Sequence, residues 1–347
     1  SAGSDPGPAC YGRGGKLATT TDANLILGYL DPDNYAGGTI KINRRRAERA
    51  IEETVAKPAG LTLIEAAKAI KRKVDANMAS AIFKEVAVKG YDPQHFTILS
   101  YGGGAPIHAC GYAGEIGVAK ILIPPFSSVF AALGAGNMNQ LHIHEKSLYL
   151  MLYDATFRRV LEDYEVFNQT VEELEDRGRE DLVRQGVDPK DVQTRVEMDM
   201  RYGNQLAQVS VMSPSSRLSS PHDVIALLDK FSNNYAQRFG EGSQAPEAGV
   251  RINVLRVVSY VEHERLTLER STASIDDKPK ARTERPCYFP QLDDPVPTSV
   301  YDHNDVAEGM HVAGPALIET PRTTYLVEPG WNLTMGRMGS AAMVRDA

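Results

Sequence analysis

The spacing of hydrophobic residues predicts two short strands with a helix between them in residues 96–123. Apolar runs at 96–100 and 119–123 have the length of buried strands, and a helical pattern covers 107–116. Upstream, residues from Thr62 to about Val88 carry an apolar side chain at every fourth position, which predicts a long amphipathic helix. Its apolar stripe comprises Ile70, Val74, Met78, Ile82 and Val86. This order of elements is typical of an α/β fold with a parallel or mixed sheet.

Three shorter helices are predicted around this segment. Asp22 occupies a capping position directly before the apolar residues 25–27, and Asp31-Pro32 ends that helix. A basic run from Arg44 to Val55 and a run of small residues at 126–136 also favour helices.

The pattern changes after residue 140, where alternating strands and charged helices take over. Strands are predicted from alternation at 142–152, 192–211 and 250–260, and helices from amphipathic spacing at 155–185 and 221–239. The polar stretch 270–297 is predicted to be an exposed connection, and 315–344 a set of short strands. We therefore predict two domains, an α/β domain at 1–140 and a β-rich α+β domain at 141–347.

The composition argues against several classes of protein. With 347 residues, 42% of them hydrophobic and 24% charged, the chain is typical of a soluble globular protein of about two domains. A formal net charge of −7 argues against a nucleic-acid partner and against an anionic membrane surface. The apolar runs are far shorter than the ~20 residues that a membrane helix needs, and the chain starts without a signal-peptide pattern.

The three cysteines, Cys10, Cys110 and Cys287, are scattered along the chain. This usage favours a reducing compartment, and hence a cytoplasmic location, and provides neither a disulfide framework nor a zinc motif. Residues 1–8 lack an initiator Met and have the composition of a loop interior, so we expect the chain to be part of a longer or split subunit.

A run of three glycines, Gly102, Gly103 and Gly104, stands between the first short strand and the helix that follows Ala105. Glycine has no Cβ, so a ligand can approach the backbone closely here, and the first amides of a helix attract anions. The run matches neither a Walker A loop nor a Rossmann fingerprint, so a nucleotide cradle and a purely structural turn both stay open. The candidate nucleotide-binding residues include these three glycines, Ala105 and His108, which either contacts a ligand or packs.

Asp22 and Asn24 are a second pair of candidates. A carboxylate and an amide close together before a helix can orient a ribose or a phosphate, or complete a Mg²⁺ shell. Ordinary helix capping is the alternative.

His142 and His144 alternate along a predicted strand and share one of its faces, with Glu145 beside them. This spacing is found in metal sites, but the local sequence offers no clear third ligand, so we assign no metal site. Elsewhere, Glu197, Asp199 and Arg201 alternate on another strand, where they line a cleft or face solvent. No Ser-His-Asp or Cys-His arrangement can be argued from spacing, so no catalytic residue is assigned.

Several motifs follow one another in order along nearly the whole chain. They are Ser1–Gly12, Thr21–Leu25, Asn77–Ala79, Gly90–Pro93, Tyr101–Ala109, Gly314–Glu319, Thr323-Thr324 and Glu328–Gly330. In their content and spacing they resemble the hydantoinase A / 5-oxoprolinase family.

The large subunit of that family resembles the acetate and sugar kinase, Hsp70 and actin superfamily, which implies an ATP site in a cleft between two α/β lobes. By that resemblance, residues 1–140 are the second lobe and Gly102–Gly104 are its adenosine-side loop. Asp22 and Asn24 are then expected to face the cleft near phosphate and Mg²⁺ or Mn²⁺. The first phosphate loop is expected in an N-terminal half outside this sequence, so this chain alone should bind ATP poorly.

The resemblance also implies an enzyme of several subunits, in which this chain joins the N-terminal half and a hydantoinase B-like partner in a hetero-oligomer. One branch of the family comprises ATP-dependent ketone carboxylases (ligases), in which ATP phosphorylates bicarbonate or the ketone enol. The segments Pro125–Phe130, His142–Glu145 and Glu197–Gly203 look more like that branch. The other branch comprises ATP-dependent cyclic-amide hydrolases that act on hydantoins or 5-oxoproline. A catalytically silent structural subunit is a third alternative.

Overall fold

The computed structural model describes residues 2–263 and 279–346. Within them the helices are α1 (Thr20–Ile26), α2 (Arg44–Ile51), α3 (Lys57–Ala59), α4 (Leu63–Ala87), α5 (Ala105–Ile116), α6 (Phe130–Gly136), α7 (Glu165–Arg184) and α8 (Pro221–Phe239). The strands are β1 (Ile98–Leu99), β2 (Lys120–Ile123), β3 (Gln140–Asp154), β4 (Arg159–Val160), β5 (Gln193–Tyr202), β6 (Val209–Met212), β7 (Val250–Val261), β8 (Thr283–Cys287), β9 (Val296–Asp302), β10 (His311–Ala313), β11 (Ala316–Glu319), β12 (Thr324–Val327), β13 (Trp331–Met335) and β14 (Ala341–Arg345). No helix among these residues combines the length and the apolar character needed to cross a bilayer.

The described residues pack as two compact units, one made of 2–136 with 279–346 and the other of 137–263. The first boundary lies close to residue 140, where the sequence indicated it. The C-terminal strands, however, return to the first unit, because β14 pairs antiparallel with β2. The packing thus differs from the expected assignment of 141–347 to a single domain, since strand pairing between distant segments leaves no local pattern in the sequence.

The first unit contains two sheets and is mixed α/β. One sheet has the strand order β1-β2-β14-β13-β10 and the other β12-β11-β9-β8. β1 pairs parallel with β2, and β9 with β11, whereas the remaining pairs are antiparallel. Helix α5 buries its apolar residues in a core to which strands of both sheets contribute. Its N-terminus, directly after the glycines, is fixed by this packing.

Helix α4 buries a different face from the one that its apolar stripe indicates. Thr62 caps the helix, and its hydroxyl and the Glu65 carboxylate form a capping box. The fully buried positions include Ala67, Lys71 and Asp75, which recur every fourth residue, whereas the predicted stripe beginning at Ile70 is only half-buried. Alanines allow the neighbouring elements to approach closely, and the two buried charges compensate each other.

The second unit places α7 and α8 against a sheet of strand order β4-β3-β7-β5-β6. Along β5 the buried side chains alternate with half-buried ones, as the sequence predicted. Glu197, Asp199 and Arg201 lie among the half-buried positions, and Arg256 forms ion pairs with Asp199 and Glu145.

Two segment predictions are wrong in part. The helix predicted from 155 begins only at Glu165, because β4 continues the sheet at 159–160. The connection predicted at 270–297 contains the strand β8, whose Cys287 is fully buried, while residues 270–278 of that prediction lie outside the described residues. β8 lies at the edge of its sheet, where a proline such as Pro286 is tolerated. Its proline and its polar residues are typical of a loop, so the sequence did not indicate a strand.

Candidate functional site

The three glycines form an open turn between β1 and α5. Gly102 has a φ of +104°, in the left-handed region that favours glycine, and its amide donates to the carbonyl of Ser127 at 2.7 Å. A Cβ added at Gly102 or Gly104 would meet no atom within 4 Å, and one at Gly103 would lie 4.0 Å from the carbonyl oxygen of Arg322. The space in front of the turn is therefore free of packed side chains from the described part of the chain.

The turn is held from the side by the segment between β11 and β12. Thr323 Oγ1 donates to the carbonyl of Gly103 at 2.8 Å, and the Thr320 hydroxyl closes that segment on the Thr323 carbonyl. At the start of α5, Gly104 is the N-cap and provides no capping side chain. Pro106 has no amide proton, and the Ile107 amide donates to the Gly104 carbonyl at 3.3 Å. The start of α5 therefore offers an anion the Ala105 amide and the positive end of the helix dipole.

A cavity of about 280 Å³ lies next to the turn, and we call it the glycine-turn cavity. Its walls include Asn24, Asp31, Gly103, Gly104, Glu319 and Arg322. Ligand pockets usually measure about 300–1,000 Å³, so this cavity has room for part of a nucleotide. The rest of such a ligand would need a second wall.

Asn24 lines this cavity and is almost fully buried. Its Nδ2 donates to Nε2 of His108 at 3.1 Å, while its Oδ1 is buried without a hydrogen-bond partner. A buried oxygen in this state is destabilising by about 1–3 kcal/mol unless a ligand or a water donates to it. The structure thus brings two sequence candidates, Asn24 and His108, into direct contact.

Behind the cavity, His108 belongs to a chain of buried polar side chains. Its Nδ1 donates to Asp75 Oδ1 at 2.6 Å, Asp75 Oδ2 accepts from Lys71 Nζ at 2.6 Å, and Lys71 Nζ also donates to Glu328 Oε1 at 2.8 Å. The tautomer with its proton on Nδ1, directed at Asp75, leaves Nε2 to accept from the Asn24 amide. The Asn24 amide nitrogen is thus engaged by His108, and its Oδ1 is left without a donor among the described residues.

Lys71 provides the positive charge in this series of hydrogen-bonded side chains. Burial opposes that charge, but the carboxylates of Glu328 and Asp75 more than offset burial and raise the pKa of Lys71. Sequence reasoning did not identify Lys71 or Asp75 as site residues, although their spacing of four on one helix was a usable signal. Glu328 had appeared only as part of a family motif.

Asp22 does not face the cavity with Asn24. It is fully buried, and its Oδ1 accepts from the Cys10 amide at 2.8 Å. Its Oδ2 accepts from the amides of Ala9 and Thr19 and from the Thr19 hydroxyl. The carboxylate thus caps α1 and ties residues 9–10 to it, and its role in nucleotide binding stays a prediction.

The carboxylates that line the glycine-turn cavity are bound to arginines. Glu319 accepts from Arg285 at 2.8 Å and from Arg282 at 2.5 Å, and Arg285 also binds Asp31 at 3.1 Å. These pairs reduce the negative charge of the cavity, and the exposed Arg322 adds a cation. The cavity therefore suits an anionic ligand.

The same carboxylates are a poor fit for Mg²⁺. The ion prefers carboxylate and phosphate oxygens in near-octahedral geometry, and the oxygens of Glu319 and Asp31 already accept from arginines and backbone amides. We therefore derive no metal step from the residues of this cavity.

A second cavity of about 390 Å³ lies against the same Thr320–Thr323 segment. Its walls include Phe126 and Met338, whose φ angles of +53° and +58° are strained for residues other than glycine. They also include His303, whose pKa is lowered by burial below its usual 6.5. Strained backbone beside a cavity is common at functional sites, so this second cavity is a further candidate site.

Among the remaining sequence candidates, Ala105 is the first residue of α5, beside the open turn. His142 and His144 lie in the second unit, where Asp181 of α7 joins them, while Glu145 pairs with Arg256 instead.

The family model for hydantoinase/oxoprolinase matches residues 1–143, and the model for the hydantoinase/oxoprolinase C-terminal domain matches residues 154–338. The acetophenone carboxylase gamma subunit of Aromatoleum aromaticum is 34% identical over 345 residues, which are 99% of this chain and 47% of the relative.

Two solved structures share the fold. The nucleotide-free acetone carboxylase from a study of ATP-dependent acetone carboxylation superposes with a TM-score of 0.81 at 23% identity, over 98% of this chain and 48% of that one. The ATP-dependent caprolactamase of Pseudomonas jessenii superposes with a TM-score of 0.74 at 30% identity, over 99% of this chain and 49% of that one. The chain spans about half the length of the curated relatives it matches.

Proposed function

Since this chain belongs to the hydantoinase/oxoprolinase family, we propose that it provides one wall of the ATP site of an ATP-dependent ketone carboxylase. The observation that carries the proposal is the open turn at Gly102–Gly104, which lies beside a cavity lined by Asn24, a residue whose buried Oδ1 has no hydrogen-bond partner among the described residues. Backbone amides at a helix start and a buried acceptor are the groups that recognise a phosphate and an amino-bearing base.

Each wall residue has a distinct part in this proposal. The Ala105 amide and the positive end of the α5 dipole attract the anionic portion of the ligand, and Arg322 offsets its charge. Asn24 accepts a hydrogen bond from a donor on the ligand, while Thr323 holds the turn in place. Bound ATP would supply the phosphoryl group that activates bicarbonate or the ketone enol.

Two subunit-level statements belong to the same proposal. We take residues 1–140 as the second lobe of an actin-like nucleotide-binding domain, whose other lobe lies in an N-terminal half outside this sequence. A hydantoinase B-like partner would complete a hetero-oligomer, in line with the similarity to a gamma subunit of a carboxylase. Mg²⁺ or Mn²⁺ would then be bound mainly by phosphates, waters and the opposite lobe.

The carboxylase branch is favoured by the similarity to acetophenone carboxylase and by the shared fold with acetone carboxylase. A second candidate is an ATP-dependent cyclic-amide hydrolase, because the caprolactamase is 30% identical over nearly the whole chain. Both use an ATP site, so the glycine-turn cavity serves either reaction. A silent structural subunit has less support, since packed side chains do not fill the turn.

An ATP-consumption assay on the complex purified from its source would test the proposal. A ketone with bicarbonate is one arm, and a lactam, a hydantoin or 5-oxoproline is the other. Ketone-dependent consumption supports the carboxylase, and consumption with a cyclic amide alone moves the assignment to the hydrolase. Tight ATP binding by this chain by itself would contradict the view that it forms only one wall.

A further inference from the structure

We propose that His142, His144 and Asp181 bind a divalent transition-metal ion of the Zn²⁺ type in the second unit. Each residue offers one ligand atom, and the three atoms lie within 4.8 Å of one another. The proposal does not depend on the function assigned to the glycine-turn cavity, because the residues belong to a different compact unit.

The sequence builds this cluster by combining strand and helix periodicity. His142 and His144 are alternate residues of β3 and therefore project from one face of the sheet. Helix α7 approaches this face closely at Gly178, where an added Cβ would lie only 2.2 Å from Oγ of Ser259. Asp181 follows one helical turn later and reaches the two histidines.

The distances suit a small ion. Asp181 Oδ2 lies 2.9 Å from His144 Nε2 and 3.9 Å from His142 Nδ1. Ligand bonds of about 2.0–2.2 Å in a tetrahedral zinc site place neighbouring ligand atoms roughly 3.3 Å apart, which lies between these two values. Small rotations of the side chains would therefore be enough to close the site.

The donor set identifies the class of ion. Two imidazoles and one carboxylate suit Zn²⁺ and similar ions, whereas Mg²⁺ and Ca²⁺ prefer an all-oxygen shell. The three side chains are between 20% and 29% exposed, so water can occupy a fourth position. A three-ligand site with one open position is the arrangement of a reactive zinc rather than of a closed structural one.

Neighbouring side chains support the orientation of the ligands. Arg184 donates to the other oxygen of Asp181 at 2.7 Å, which leaves Oδ2 for the ion. Gln185 Nε2 lies 2.8 Å from Nε2 of His142, and Gln185 Oε1 accepts from Gln140, so binding of an ion at Nδ1 of His142 requires the Gln185 amide to turn over and present Oε1 to the Nε2 proton. Such outer contacts fix the ring and the tautomer of a ligating histidine.

The cysteines do not compete for the ion. Cys10, Cys110 and Cys287 are all buried, and burial raises the pKa of their thiols, to about 11 for Cys287. A thiol must lose its proton to bind zinc, so these three groups are poor ligands at neutral pH.

The simpler alternative is a hydrogen bond between His144 and Asp181 that fastens α7 to β3 without any ion. Calorimetric titration of the tag-free full chain with Zn²⁺, and the visible absorption of the chain with Co²⁺, distinguish the two. We expect one ion per chain, tetrahedral or five-coordinate Co²⁺ bands, and no comparable binding of Mg²⁺. Absence of stoichiometric Zn²⁺ and Co²⁺ binding would overturn the proposal.

The variants His144→Ala and Asp181→Asn should each weaken Zn²⁺ binding by at least tenfold. Asp181→Asn retains the size and the hydrogen-bonding capacity of the side chain, so it separates ion binding from the simple helix–strand contact. His222→Ala is the matched control, because His222 is exposed in the same unit, and it should bind as the parent does. Circular dichroism confirms folding of each variant, and undiminished Zn²⁺ affinity in folded Asp181→Asn would assign the cluster to hydrogen bonding alone.

Discussion

Nδ1 of His108 donates to Oδ1 of Asp75 at 2.6 Å, although the two residues are 33 positions apart. The other oxygen of Asp75 is bound by Lys71, which also binds Glu328. Lys71 thus places a positive charge between two buried carboxyl groups and compensates part of the cost of burying them. The orientation of Asn24 in the cavity therefore depends on a buried ion cluster behind it.

Replacement of Lys71 should destabilise the fold strongly. Lys71→Met leaves Asp75 and Glu328 buried together without a cation, and we expect the free energy of unfolding to fall by about 3–5 kcal/mol. Urea denaturation measures the change. Lys73→Met is the control, because Lys73 is exposed on the same helix and should change stability by less than about 0.5 kcal/mol. Equal effects of the two variants would show that the buried cluster is not what stabilises α4.

Removal of the cavity amide should weaken nucleotide binding more than it weakens folding. In the assembled complex, Asn24→Ala takes away the acceptor that lines the glycine-turn cavity, and we expect about a tenfold rise in the Kd for ATP, or ~1.4 kcal/mol. Equilibrium binding measures it, with Asn304→Ala as an exposed control. An unchanged Kd for Asn24→Ala, with ATP still bound, would remove Asn24 from the nucleotide site.

Substitution at Gly103 should abolish nucleotide-dependent turnover while the protein stays folded. Gly103 has no left-handed φ, and an added side chain enters open space where the ligand would approach. Gly102→Val, in contrast, imposes strain at a φ of +104° and should also lower thermal stability. Gly114→Val, on α5 with open space around it, is the control for turnover. Unfolding of Gly103→Val would identify the turn as purely structural.

The role of Asp22 can be decided by comparing stability with affinity. Asp22→Asn weakens the acceptor for three backbone amides and the Thr19 hydroxyl, so we expect a loss of about 1–3 kcal/mol in unfolding free energy. The Kd for ATP of the folded complex should be unaffected. If the Asp22→Asn variant is fully folded and still binds ATP more weakly, Asp22 contributes to nucleotide or metal binding, as the sequence suggested.

Acid pH should destabilise the first unit through His303. Burial lowers the pKa of this ring, although the Gly339 backbone and the Asp302 charge oppose the shift. Above about pH 6.5 the His303 ring is neutral in both the folded and the unfolded state, so its contribution to the free energy of unfolding is fully present. As the pH falls below that value the unfolded chain binds the proton first, so unfolding free energy decreases until the pH passes the lowered pKa of the folded state. Urea midpoints between pH 5 and 8 measure it.

His303→Gln should flatten that pH dependence, whereas His311→Gln, at an exposed position of β10, should leave it unchanged. The same slope in parent and His303→Gln would show that another group is responsible.

Local signals made most helices predictable. The apolar spacing of α8 and the glycine before α5 act within a few residues, so the sequence displays them directly. Asp22 was recognised as a capping residue of α1, although the N-cap is Thr19 and Asp22 completes the capping box from the first turn. The mixed α/β character of the first unit followed from the same short-range pattern.

Contacts between distant segments were not predictable in this way. Asn24 and His108 were both candidates, but their contact joins residues 84 positions apart, and Glu328 reaches Lys71 across 257 positions. The buried face of α4 could not be predicted for the same reason. Burial of Lys71 and Asp75 is stabilised by Glu328, which lies far away in the sequence. Likewise, the histidine pair of β3 was visible, but its carboxylate lies on a helix 37 positions later.

The pairing of β14 with β2 has a consequence for biosynthesis. The sheet that carries the glycine turn cannot be completed until the ribosome has released residues 341–345, whereas every strand of the intervening unit is already available by residue 261. During translation the inserted unit can thus acquire its structure while the segment around Gly102–Gly104 still waits for its neighbour. A nucleotide that needs the ordered turn would then bind only chains whose synthesis has passed β14.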